Sequence, residues 1–190
     1  MTTVAATEAR EADMPGEAGL WVFLLAEMSV FAVIFGIVVK SMTSHPESFA
    51  ASQATLQPGL GLLNTQLLLA SSLFVALGVQ RARRHRDDRC GHLFTAGMAC
   101  GAGFGVIKAV EYGQKFAHGV GLHTNEFFTL YFVSTGVHLA HVLFGLGVLW
   151  WIRRRALRGG DLMLVEGGAC YWHMVDLVWI VLFTLFYLAR

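Results

Sequence analysis

The chain has 190 residues, 55% of them hydrophobic and only 14% charged, with a mean hydropathy of +0.56. Soluble domains carry about 25% charged residues, so the composition excludes an ordinary soluble fold and points to an integral membrane protein. A net charge of +1 gives no basis for a nucleic-acid partner or a strongly acidic ligand.

Residues 1–17 hold Glu8, Arg10, Glu11, Asp13 and Glu17 but no apolar core, which predicts a disordered cytoplasmic tail and not a cleaved signal peptide. Residues 18–190 read as one transmembrane domain. A hydrocarbon layer of ~30 Å takes ~20 apolar residues per helix, and five such runs stand out, at 19–39, 60–79, 93–112, 127–152 and 168–188. The expected fold is all-α, a bundle of five transmembrane helices. Pro15, Pro46 and Pro58 all fall outside the runs, and no half of the chain repeats the other. Both features argue against the broken helices and internal repeats of many transporters.

The first run carries Glu27 with no charged neighbour. An ionised side chain at the bilayer centre costs about 2.5–3.5 kcal/mol on insertion scales, so Glu27 has to face protein. The third run is poor in large apolar residues, bears Gly97, Gly101 and Gly105 four apart, and ends with Lys108 and Glu111. Small residues at that spacing let helix backbones approach closely, and this helix is expected in the bundle interior. The fourth run carries His138 and His141, the fifth His173 and Asp176. At 1.5 Å per residue, Glu27, His141 and Asp176 sit about 12–15 Å from the ends of their helices nearest the arginine-rich connections. Matching depths predict a single polar seam in which Glu27 pairs with His141 or His173.

Orientation follows from the connections. Residues 81–89 contain five arginines and the next basic connection contains Arg153, Arg154, Arg155 and Arg158, while the other two offer only Lys40 and Lys115. Basic connections stay cytoplasmic, so the N-terminus is expected inside, the C-terminus outside, and Cys90 open to labelling from the cytoplasm. Cys90, Cys100 and Cys170 have no metal-ligand spacing. Trp21, Trp150, Trp151 and Trp172 fall at predicted interfaces, with Trp179 deeper.

The histidines invite a metal or haem. His138 and His141 share a helical face, but a di-iron bundle needs several glutamates from neighbouring helices, and Glu27 is the one glutamate in the interior of a run, Glu111 lying at the end of its own. His138, His141 and His173 do not make two facing haem-ligand pairs. No nucleotide loop or hydrolase triad is present, so no catalytic or metal site is assigned. The seam residues are Glu27, His138, His141, His173, Asp176, Lys108 and Glu111, open to a structural, proton-handling or lipid role. An independent carrier or proton pathway using that seam is the competing function, and a membrane cytochrome a further one.

Five segments then carry a resemblance. Residues 19–31, with Glu27 followed by Met28-Ser29-Val30-Phe31, resemble the glutamate-bearing helix of subunit III of haem–copper oxidases. Asn64-Thr65-Gln66-Leu67-Leu68-Leu69-Ala70-Ser71-Ser72, Glu111-Tyr112, Thr135-Gly136-Val137-His138-Leu139-Ala140-His141-Val142 and Tyr171-Trp172-His173-Met174-Val175-Asp176-Leu177-Val178-Trp179 resemble further motifs of that family, in order. The two N-terminal helices of its long form are absent, Lys108 stands where glutamine is usual, and Val137 and Met174 replace phenylalanines. These departures most resemble the branch associated with nitric oxide reductases in denitrifying bacteria, with a short terminal-oxidase subunit III as the alternative. The resemblance implies a non-redox accessory subunit of a respiratory complex in the bacterial cytoplasmic membrane. Such a subunit packs on catalytic subunit I, binds phospholipid in its helix clefts and supports stable turnover and proton uptake. Haem and copper are then expected only in partner subunits.

Overall fold

A computed structural model describes residues 18–84 and 87–189; the predicted tail 1–17 lies outside them. Six helices follow in order: α1 (Ala18–Ser44), α2 (Pro46–Gln53), α3 (Pro58–Arg84), α4 (Asp88–Ala117), α5 (Glu126–Leu157) and α6 (Leu162–Phe183). A single π turn, Thr184–Leu188, extends α6. All except the short α2 belong to spans long and apolar enough to cross a membrane, so the chain is a multi-pass membrane protein with the expected five spans.

Their ends are set by local chemistry. Side chains of Asp87, Asn125 and Asp161 accept from the Cys90, Phe128 and Met163 amides and so start α4, α5 and α6. Gly119 and Gly159, at φ +73° and +71°, end α4 and α5. There Val120 N donates to Lys115 O and Gly160 N to Arg155 O, each at 2.9 Å, the 6→1 bond of a left-handed helix cap. The cap at Asp161 is why α6 starts well before the predicted residue 168.

Helices α3, α4, α5 and α6 close a ring of antiparallel neighbours, and α1 leans on the α5–α6 edge. The most enclosed helix is α6, not α4. In its most apolar stretch 61% of residues are buried, against 28% in α4 and 17% in α1. Weak hydrophobicity misled the expectation for α4, because its glycines serve close contact with neighbours on one side only. A Cβ at Gly97 would lie 2.9 Å from Val75 Cγ2 on α3, and one at Gly101 2.7 Å from Trp172 Cη2 on α6. At Gly105 the nearest such atom is 3.9 Å away.

Trp172 also corrects an expectation. It is 1% exposed, and a Cβ at Gly145 of α5 would meet its ring at 2.8 Å. The indole fills the space that two glycines leave, in the core and not at an interface. Cys90 is fully buried, with Sγ 3.5 Å from Gly78 O, so it cannot report sidedness by labelling. Helix α2, read from sequence as plain connection, ties the ends of the bundle together. Gln53 Nε2 donates to Ala189 O at 2.7 Å, Asn125 Nδ2 to Ser52 Oγ at 2.8 Å, and Phe49 meets Phe127 edge-on at 4.7 Å.

Candidate functional site

The seam divides into separate polar groups. The first lies at the end of the ring opposite the arginine connections. Lys108 and Glu111, one turn apart on α4, form a salt bridge of 2.9 Å with side chains 0% and 4% exposed. Lys108 Nζ also donates to Tyr131 Oη of α5 at 3.0 Å and to Tyr187 Oη of the π turn at 3.1 Å. Both phenols donate to Glu111 Oε1, at 2.8 and 2.6 Å. All three ammonium donors have acceptors, and the charges cancel within the cluster. The Trp179 ring lies 4.9 Å from Nζ and adds a cation–π contact. A cavity of about 310 Å³, lined by Gln57, Gln114, Lys115 and His118, reaches Glu111 from the loop side.

The second group joins α1 to α5. Glu27 Oε2 lies 3.0 Å from His141 Nε2, with side chains 25% and 21% exposed. His141 is one of the two partners that depth matching offered. Its other nitrogen, Nδ1, lies 2.8 Å from Val137 O. A carbonyl only accepts, so Nδ1 holds a proton, and Nε2 holds a second only in the imidazolium. The pair therefore exists either as protonated glutamate donating to neutral imidazole or as carboxylate with imidazolium. It shares one proton in both forms and is neutral in both. Phe31 packs on His141 at 5.1 Å.

The remaining seam residues join neither pair. His173 Nδ1 is 2.9 Å from Ser72 Oγ on α3, and Asp176, 6% exposed, sits one turn further along α6. Asp176 thus shares the depth of Glu27 without meeting it, because α6 turns residues 173 and 176 toward α3 and away from α1. His138 is fully buried, stacked on Trp179 at 5.4 Å with Phe104 edge-on at 5.6 Å, and neither ring nitrogen has a hydrogen-bond partner among the described residues. Among those residues no three His, Cys, Asp or Glu side chains converge as metal ligands would.

Sequence reasoning missed Tyr131, Tyr187 and Ser72. The two tyrosines had a signal: each lies near the end of its run away from the arginine connections, level with Lys108, and a buried lysine needs more acceptors than one glutamate supplies. Ser72 stood in a quoted motif without a role.

Comparison with known proteins covers nearly the whole chain. The family model for cytochrome c oxidase subunit III matches residues 7–189. Cytochrome c oxidase subunit 3 of Thermostichus vulcanus is 32% identical over 98% of this chain and 94% of the relative. That of Synechocystis is 33% identical over 98% and 86%. Quinol oxidase subunit 3 of Bacillus subtilis is 30% identical over 90% and 85%. A ring of helices with no proline inside them beyond the first residue of α3, a glutamate on the first span bound to a histidine on the fourth, and matches of this extent lead to one conclusion: the chain belongs to the cytochrome c oxidase subunit III family.

Proposed function

We propose that this protein is the non-redox accessory subunit of a bacterial haem–copper oxidase, seated on the catalytic subunit in the cytoplasmic membrane. The observation that carries this reading is the near-complete family match, with relatives named as subunits of both cytochrome c and quinol oxidases. The internal chemistry agrees. The buried lysine is paired where it sits, an arrangement suited to holding a bundle together, and Glu27 is hydrogen-bonded to His141. The subunit has no cofactor of its own, and haem and copper belong to its partner. It supports turnover and proton uptake without performing either.

The arginine connections face the cytoplasm, placing the N-terminus inside. Arg158 and Glu47 are exposed at opposite ends, so cysteines there replace buried Cys90 as reporters. Labelling of Arg158→Cys from outside intact cells would reverse the topology. A bound phospholipid is supported by an apolar slot of about 330 Å³ between α1, α5 and α6, walled by Phe23, Phe144, Trp151 and Tyr171. Trp151 also borders a neighbouring pocket lined by Trp150, Arg154 and Arg155, where Arg154 stacks on Trp150 and Arg155 on Trp151, at 3.9 and 4.9 Å.

Co-purification in mild detergent tests the central reading. The tagged chain should bring down a catalytic subunit with a haem absorbance spectrum, and show none when isolated from it. Retention of no haem protein would refute the assignment. The buried Lys108 motivates the second reading, a partner that reduces nitric oxide; the identity of the co-purified complex decides between the two.

A further inference from the structure

Polar side chains on the outer surfaces of the spans are mostly satisfied by the chain itself. Ser29, Thr95 and Thr184 each donate to the carbonyl one turn earlier, of Leu25, Gly91 and Ile180. Glu27 is held by His141. The glutamines of α3 differ. Gln66 and Gln80 are both exposed, and neither has a hydrogen-bond partner among the described residues. Gln66 lies eight residues from the start of a 27-residue helix, about 12 Å along a length of about 40 Å. A hydrocarbon layer of ~30 Å centred on that helix encloses it. An amide at that depth facing lipid tails has nothing to bond.

The surroundings of Gln66 form a regular seam. Leu62, Gln66, Leu69, Leu73, Ala76 and Gln80 are all exposed and alternate four and three apart, the spacing at which one helix packs along another. The exposed face of α1, with Val22, Val30, Val33 and Ile37, carries no such unpaired amide and suits lipid. A second copy of the chain is a poor occupant for the α3 seam. Two copies share one orientation in the membrane, so pairing along α3 would set their five-arginine connections side by side.

We propose that the outward face of α3 seats one transmembrane helix of the partner catalytic subunit, which satisfies the Gln66 amide with a group of its own and brings a neutral or acidic end to the arginine connection. This rests on the accessory-subunit reading and adds to it the face by which the subunit docks. Polar residues bind helices together in bilayers where apolar ones gain little over lipid.

The test uses the assembled complex in native membranes, with a photo-crosslinking amino acid at position 66 or 73 and, for comparison, at 30 or 33. Adducts to the haem-bearing subunit are expected from 66 and 73 and not from 30 and 33. Adducts from the α1 positions alone, between two copies of this chain, or only to lipid would overturn the proposal. The same membranes, solubilised, report whether a haem partner co-purifies. A partner without seam adducts removes the docking face alone; no haem partner removes the function as well. Gln66→Leu, a change on the outer surface, should leave the melting temperature of the isolated chain unchanged and weaken retention of the partner about three- to tenfold. Unchanged retention would count against the seam.

Discussion

Lys108–Glu111 and Glu27–His141 each join one base to one acid within the spans, yet they are built differently. Lys108 and Glu111 share one helix, are shielded almost completely, and are held by two phenols from α5 and the π turn. Glu27 and His141 come from different helices, stay about a quarter and a fifth exposed, and rest on one carbonyl. The enclosed pair has all three ammonium donors and both carboxylate oxygens engaged, so its role is to hold together the end of the ring away from the arginine connections. The open pair links two helices by a single contact, on a face another molecule can reach. Enclosure separates a structural pair from one able to respond to its surroundings.

Lys108→Met should break this comparison most severely. It strands the Glu111 carboxylate in the core, and removing one partner of a buried pair costs about 3–5 kcal/mol. Melting in detergent should drop sharply or folded protein should be lost, and Lys108→Met with Glu111→Leu should recover much of the loss. A single substitution as stable as the parent would show the pair to be idle. Next is Gly101→Leu, where the new side chain meets Trp172; overpacking costs about 1–3 kcal/mol. Gly36→Leu is the control, since nothing lies within 4 Å of a Cβ there. Equal melting temperatures for the two variants would mean that the glycine contact is slack.

Glu27→Ala should cost less, about 0.5–1.5 kcal/mol for one hydrogen bond. Assembly and the partner's haem spectrum should survive while the complex loses activity sooner during turnover. Immediate loss of all turnover would make Glu27 an obligatory proton carrier. The smallest effect belongs to a third pair, outside the membrane. Arg81 Nη2 lies 2.5 Å from Asp87 Oδ2, with side chains 34% and 39% exposed. Hydrogen bonding from Arg81, foremost, holds the Asp87 carboxyl at about 2, below its ordinary 3.8. A carboxyl more acidic folded than unfolded stabilises above the unfolded value and loses that contribution as pH falls through the folded one. The melting temperature should therefore decline modestly from about pH 4 to pH 2, and Asp87→Asn, which keeps the helix cap, should flatten that decline.

The five spans were legible because a bilayer imposes length and hydropathy on each. Depth narrowed the partner of Glu27 to His141 or His173, and packing of α1 against α5 makes it His141. Depth failed for Asp176, because it does not say which way a helix is rotated, and rotation is fixed by packing partners. Trp172 was misplaced for the same reason: a tryptophan near a helix end suits an interface until two glycines on other helices make room for it. Helix α2 escaped because eight mixed residues carry no strong periodicity, and its role comes from distant bonds to Asn125 and Ala189.

Trp172 and its two glycines also bear on how this sequence can vary. A Cβ at Gly101 or Gly145 collides with the same indole, from α4 on one side and α5 on the other. None of the three positions can therefore drift alone. A library randomising any one of them should return the parental residue, while one randomising all three should yield combinations with alanines at 101 and 145 and a smaller aliphatic residue at 172. Larger residues at 101 or 145 are therefore expected only together with a smaller residue at 172.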